Sequence, residues 1–187
     1  MKALVPLSGG LDSAVVLAGC VGSDLETATV GFDYGQPHRI ELQHAERIAG
    51  HYCVPFEIVA LPMMPLASEV VFAGRNLVFA SVAVSMAQAR GIDIVAFGCN
   101  SSDWFDFPDC RPEFWRAFKT CAGAYGVQVR TPLLHNPKPD IVKLAFELKV
   151  PITGTWSCYG PGPEPCGECL ACRVRADSIK LVEEGKV

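Results

Sequence analysis

Five short apolar runs, separated by stretches of helical character, constrain this chain more than any other feature. ALVPL (3–7), TATVGF (27–32), FEIVAL (56–61), DIVAFG (93–98) and VQVRTP (127–132) are partly β-branched and bounded by turn residues, the mark of buried strands. Helical patterns lie between and after them, at about 12–20, 37–53, 75–90, 111–124 and 138–149. Strands alternating with helices of this length predict βαβ units, hence an α/β fold with a doubly wound, mostly parallel, Rossmann-like sheet. Such sheets bind ligands at the carboxyl ends of their strands. SGGLDS (8–13), GFDY (31–34) and GCNSSD (98–103) all fall at such ends, so three polar stretches converge on one edge.

A chain of 187 residues, half of them hydrophobic and 19% charged, has the composition of one full-sized soluble domain. The net charge of -4 leaves no global basic field for gripping a nucleic-acid backbone, so a small-molecule substrate is expected and a direct nucleic-acid partner is not. No apolar run reaches the roughly 18 residues of a membrane span, and the N-terminus enters a strand without a leader, so a cytoplasmic protein is expected. A mean hydropathy of +0.25 in so short a chain predicts an apolar surface covered by a partner, most simply in a homodimer.

Within SGGLDS, glycines allow positive backbone dihedrals and let main-chain N–H groups approach an anion without a Cβ in the way. Ser8 and Ser13 add hydroxyl donors, and the following DSAVVLAGC is apolar at helical spacing, so the loop feeds a helix N-terminus. This is a phosphate cradle in outline. It lacks the Lys of the mononucleotide P-loop motif, so a different nucleotide chemistry is implied.

After Val150 the pattern changes. VPITGTWSCYGPGPEPCGECLACRVR (150–175) is proline-rich and predicts irregular chain that needs a staple. Cys158, Cys166, Cys169 and Cys172 supply one in the spacing C-x7-C-x2-C-x2-C. Four thiolates fit tetrahedral Zn²⁺ in a structural role, since four protein ligands leave no open position; an iron–sulfur cluster could use the same set, and disulfides are a third choice. The chain thus divides into a nucleotide-binding α/β part, 1–150, and a metal-stapled part, 151–187, packed on it. Cys20, Cys53, Cys99 and Cys121 read as buried small hydrophobes, Cys110 is set apart by its neighbours, and His44 and His51 read as surface helix residues.

LSGGLDS (7–13), FDYGQPHRIEL (32–42), GRN (74–76), N-x-x-D-x-x-x-F-P-D-C-R-P-E-F (100–114), and TWSCY with CGECLACRVR (155–175) together resemble the 7-cyano-7-deazaguanine synthases, the QueC family. SGGLDS alone is similar to the wider group of PP-loop ATP pyrophosphatases, with their adenine nucleotide alpha hydrolase-like fold. The resemblance implies a carbon–nitrogen ligase of queuosine-type biosynthesis. Such an enzyme uses ATP with Mg²⁺, ammonia and 7-carboxy-7-deazaguanine to make the nitrile preQ0, through an adenylated carboxylate and an amide.

The same resemblance implies site residues. Leu7, Ser8, Gly9, Gly10, Leu11, Asp12 and Ser13 would bind ATP with Asp33, Tyr34, Gln36 and His38, next to which stands Arg39. Asp12 would position the loop or a Mg²⁺. Arg75, Asn76, Asp103, Phe107, Asp109 and Arg111 would bind the deazaguanine, with Asp103 or Asp109 accepting from its N1–H and 2-amino edge and Phe107 stacking. Ser8, Asp12, Ser13, Arg75 and Lys138 would act in catalysis, Lys138 by neutralising a phosphate. Three departures stand out: a shortened passage from LPMMPLASEV to VFAGRN, as if a lid or dimer segment were trimmed, Phe107 in place of the usual Tyr, and Pro37 where a basic residue is common. A relative that stops at the amide, or that conjugates the activated base to another amine, and a non-catalytic nucleotide-binding module are the alternatives.

Overall fold

Alternate residues of a strand point to opposite faces of its sheet, and that rule sorts the core of this protein into two layers. In the computed structural model, which describes residues 1–61 and 74–187, Ala3, Val5, Ile94 and Ala96 face one layer while Leu4, Val95 and Phe97 face the other. The strands are β1 (Lys2–Pro6), β2 (Glu26–Asp33), β3 (Phe56–Ala60), β4 (Ile94–Ala96) and β5 (Gln128–Arg130). They pair in the order β3-β2-β1-β4-β5, every neighbour parallel. Helices α1 (Leu11–Gly22), α2 (Glu41–His51) and α5 (Lys138–Glu147) cover the first layer; α3 (Arg75–Ala89) and α4 (Pro112–Gly123) cover the second. The expected doubly wound parallel sheet is therefore present.

From β1 the chain builds outward to β2 and β3, then crosses back to add β4 and β5 on the other side. The strand order reverses beside β1, and the carboxyl ends of β1 and β4 flank the crevice that such a reversal opens.

Two stretches differ from expectation. Helical character predicted from 37 begins only at Glu41, because Glu41 N donates to His38 O (3.0 Å) and Leu42 N to Arg39 O (3.1 Å), turns that precede the helix proper. The proline-rich end is not irregular throughout either: Leu170–Glu183 forms α6, which packs along α5 and sets Ile179 and Val182 against the first layer. The shortened passage before GRN lies largely outside the described residues.

Candidate active site

The loop after β1 is shaped by one glycine more than by the other. Gly9 has φ +82°, and a Cβ there would collide with the backbone oxygen of Glu41, so its lack of a side chain lets the first turn of α2 pack on the loop. Gly10 is extended (φ -78°) and does not use the positive dihedrals expected of both. Ser13 Oγ donates to Gly10 O (3.0 Å) and accepts from Ser8 N (3.2 Å), which closes the loop over the N-terminus of α1. From β4, Gly98 approaches so closely that a Cβ would lie 2.8 Å from Asp12 C and Ser13 N.

Asp12, in the first turn of α1, is the hub of a polar network. Lys138 Nζ donates to both of its carboxylate oxygens at 2.7 Å, and Asn100 Nδ2 donates to Asp12 Oδ2 and to Asp103 Oδ2, each at 2.8 Å. Burial works against the charge of Lys138, but the Asp12 carboxylate holds its pKa above the usual lysine value. Burial pushes Asp103 upward, an effect that Lys138 partly offsets. Both Asp12 oxygens are thus engaged, which suits a residue that anchors the loop.

On the other side stands α3. Arg75 Nη1 donates to Tyr34 Oη (2.9 Å), and its guanidinium lies 5.8 Å and 5.9 Å from the ring centroids of Tyr34 and Phe79. Asn76 N donates to Asp109 Oδ2 (2.7 Å), so Asp109 caps the start of α3, while Asn76 Nδ2 donates to Cys110 Sγ (3.3 Å). Glu41 accepts at Oε1 from Gln36 Nε2 (3.0 Å), and its Oε2 lies 3.4 Å from His38 Nε2. Burial raises Glu41 to about 7 and lowers His38 to about 4, the latter with help from Arg75.

A cavity of about 390 Å³ joins these groups. Of the residues singled out in the sequence, Leu7, Ser8, Gly10, Leu11, Asp12 and Ser13 line it from the loop. Tyr34, His38, Arg75, Asn76 and Lys138 line it from other elements, as do Asp103, Phe107 and Asp109. Gly9, Asp33, Gln36 and Arg111 are not in its wall. Asp33 pairs with the exposed Arg39; Gln36 bridges Tyr34 N, Phe32 O and Glu41; Arg111 donates to Trp104 O and Phe105 O. Each of the four holds a loop that shapes the cavity.

Sequence reasoning left out Glu41, Asn100, Tyr159 and Arg175. Asn100 opens the N-x-x-D spacing and Glu41 closes FDYGQPHRIE, which were the available signals. Arg175 binds Thr155 Oγ1 (2.5 Å) and Ile152 O (2.5 Å), tying α6 to the cavity's rim. His44 is half-buried rather than free on the surface: its Nδ1 is 2.7 Å from Gly154 O and its ring is 5.1 Å from that of Trp156. Of the four cysteines expected inside, Cys20 and Cys99 are buried but Cys53 and Cys121 are exposed.

Beside the cavity, Cys158, Cys166, Cys169 and Cys172 bring their sulfurs within 4.8 Å of one another, so the four could hold a metal ion. Cys158 Sγ is 3.6 Å from Cys166 Sγ and accepts from Gly160 N (3.2 Å) and Cys166 N (3.4 Å). Such donors stabilise thiolate charge. Trp156 fixes the approach, since its backbone N donates to Gly9 O (2.8 Å) and its Nε1 to Cys158 O (2.7 Å).

Solved structures share this architecture. The NMN synthetase from Francisella tularensis superposes with a TM-score of 0.60 at 18% identity, over 98% of this chain and 77% of that one. The U34-tRNA thiolase NcsA from Methanococcus maripaludis, with its [4Fe-4S] cluster, gives 0.59 at 16% identity, over 98% of this chain and 65% of that one. The class these structures define is the doubly wound α/β fold that all three share. Closer relatives narrow the class. The chain is 36% identical to the 7-cyano-7-deazaguanine synthase of Prochlorococcus marinus subsp. pastoris over 96% of its length and 93% of the relative's. It is 37% identical to that of Synechococcus elongatus over 98% and 92%. A family model described as "Queuosine biosynthesis protein QueC" matches residues 2–71 and 66–183, and the chain belongs to that family.

Proposed function

We propose that this protein is an ATP-dependent carbon–nitrogen ligase that converts 7-carboxy-7-deazaguanine and ammonia to the nitrile preQ0. The observation that carries the reading is the near-complete alignment with curated synthases, whose name states that product. The cavity supports it: one wall is a phosphate cradle, and the other presents a guanidinium, carboxylates and aromatic rings.

A carboxylate resists nucleophiles, so it must first be joined to a leaving group. Ser8, Gly10 and Ser13, with the amides that open α1, would compensate charge on the departing pyrophosphate. Lys138 would share its charge between Asp12 and phosphate. Arg75 offers a planar fork to the substrate carboxylate. Asp103 is the better candidate for the base's N1–H and 2-amino edge, because Asp109 is already committed to the amide of Asn76. Phe107 would stack on the base. Mg²⁺ would enter with the phosphates, as its preference for phosphate and carboxylate oxygen requires.

Zinc is the ion that best fits the cysteines. With Zn–S bonds of about 2.3 Å, tetrahedral ligands lie about 3.8 Å apart, close to the 3.6 Å between Cys158 Sγ and Cys166 Sγ. A four-iron cluster binds each thiolate at a separate corner of a larger body and suits a wider set. The composition also favours a homodimer, which light scattering at micromolar concentration would test against the 20.1 kDa chain mass.

The deciding experiment incubates the purified protein with 7-carboxy-7-deazaguanine, ATP and ammonium and follows products by mass spectrometry. The nitrile is expected. Accumulation of the amide alone would overturn the nitrile assignment, and ATP binding without any carboxylate-dependent turnover would overturn the ligase reading.

A further inference from the structure

We infer that Glu41 is the base that accepts a proton from the attacking ammonia, with His38 positioning its carboxylate. The inference deepens the reading above and rests on it, because it assigns the nitrogen subsite of the same cavity.

The placement comes from the backbone. Gly9 lets the first turn of α2 press against the loop, and that packing brings Glu41 to the wall of the cavity that Ser8 and Arg75 also line. Its side chain is 17% exposed, so it is shielded from bulk water yet lines the cavity. One oxygen is held by Gln36 at 3.0 Å and the other faces His38 Nε2 at 3.4 Å. His38 also lines the cavity, is 2% exposed, and its Nδ1 has no partner among the described residues.

The neighbouring carboxylates of the cavity have other work: Lys138 and Asn100 engage both oxygens of Asp12, Asp109 caps α3 through the amide of Asn76, and Asp103, held at one oxygen by Asn100, is the group assigned above to the base edge. Among the described residues Glu41 faces few charges. Arg75 on α3 is the cation that acts on it, and that guanidinium is engaged with Tyr34; Tyr159 enters from the cysteine-rich segment, and Lys138 lies with Asp12 on the wall formed by the loop and α5. His38 is held uncharged near neutrality by burial, so it adds no positive charge beside the carboxylate. Burial holds Glu41 at about 7, the range in which a carboxylate can both take and release a proton at neutral pH.

The step balances. The ammonia lone pair forms the N–C bond to the activated carboxyl carbon, the C–O bond to AMP breaks with its electron pair going to AMP, and one N–H proton passes to Glu41. The products are the amide, AMP and protonated Glu41, which returns its proton to solvent.

Glu41→Gln keeps an oxygen for Gln36 and removes the base. In this variant, carboxylate-dependent ATP–pyrophosphate exchange, which needs no nitrogen, is expected within twofold of the unaltered enzyme. Amide formation with ammonium should fall about 10²- to 10⁴-fold in kcat. Hydroxylamine, a stronger nucleophile whose adduct loses its N–H proton more readily than that of ammonia, should restore product, and Glu41→Asp should recover part of the ammonium rate. Measured at constant free ammonia, the rising limb near pH 7 should vanish in E41Q. Exchange that falls in step with amide formation, or amide formation left unchanged, would overturn the inference. If E41Q fails to fold, E41D carries the test, with amide formation lowered and exchange retained. Absence of carboxylate-dependent exchange in the unaltered enzyme would overturn the functional reading itself.

Discussion

Lys138 and Asp12, 126 residues apart in the chain, meet through two hydrogen bonds of 2.7 Å across the mouth of the crevice. The pair joins the first turn of α5 to the first turn of α1, and their side chains are 21% and 16% exposed. Both side chains are mostly buried, so Lys138→Ala leaves the Asp12 carboxylate with Asn100 as its remaining side-chain donor and is expected to lower stability by about 1–3 kcal/mol. The same change should cut carboxylate-dependent ATP–pyrophosphate exchange by about 10²-fold, since it removes a preorganised positive charge from the proposed phosphate site. Equal losses of stability and exchange would assign Lys138 a structural role alone.

The glycines of the loop separate by the space around them. Gly9→Ala combines a positive φ with a collision against Glu41, and Gly98→Ala drives a Cβ into the Asp12–Ser13 backbone. Each is expected to lower stability by about 2–4 kcal/mol in denaturant unfolding. At Gly10 the nearest atom to a Cβ would be Ser8 Oγ at 3.3 Å. Gly10→Ala should therefore fold normally and lose ATP turnover, because the methyl group would stand where the proposed phosphate site meets the backbone.

What could be read from the chain follows the physics of each level. Apolar, partly β-branched runs and the turn residues that bound them report local structure, so the five strands and the first five helices fall near their expected places. Helix α6 escaped because prolines and cysteines between 158 and 172 dominate the composition there, while its packing residues, Ile179 and Val182, lie beyond the motif. Motif residues converge on the cavity because they sit at strand ends. Side-chain partnerships do not follow from spacing: Gln36 and Arg111 are polar and within motifs, yet they serve loops. Glu41 looks like one more acid of a helix's first turn until the packing against Gly9 is known.

The cysteine site and α6 should fail together. Cys172 lies in the first turn of α6 and Cys169 immediately precedes it, so a metal held by the four cysteines would fix the start of the helix whose Arg175 grips Thr155 and Ile152. Cys169→Ser is expected to lower metal content and thermal stability in parallel, and a strong chelator should do the same to the unaltered protein. Metal analysis should give one zinc per chain, without the visible absorption of an iron–sulfur cluster. A fully folded, metal-free C169S protein with normal turnover would refute the structural role.

His38 and Glu41 should leave opposite imprints on stability against pH. Burial raises Glu41 from 4.5 to about 7 in the folded state, so the folded protein holds a proton that the unfolded chain releases. Stability from this group is fully present below 4.5 and declines as pH rises through 7. Burial lowers His38 from 6.5 to about 4, so there the unfolded chain holds the extra proton and stability declines as pH falls from 6.5 through 4. Each effect is on the order of 3 kcal/mol at 1.36 kcal/mol per unit, and over the shared window the two nearly cancel. The unaltered protein should thus show little slope from this pair. Glu41→Gln should gain stability above pH 7 relative to the unaltered protein, and the gain should disappear below pH 4.5. His38→Asn should instead be relatively more stable at pH 4 than at pH 7. Urea unfolding at pH 4, 5.5 and 8 separates the two, and parallel profiles for all three proteins would show that neither group titrates abnormally in the fold.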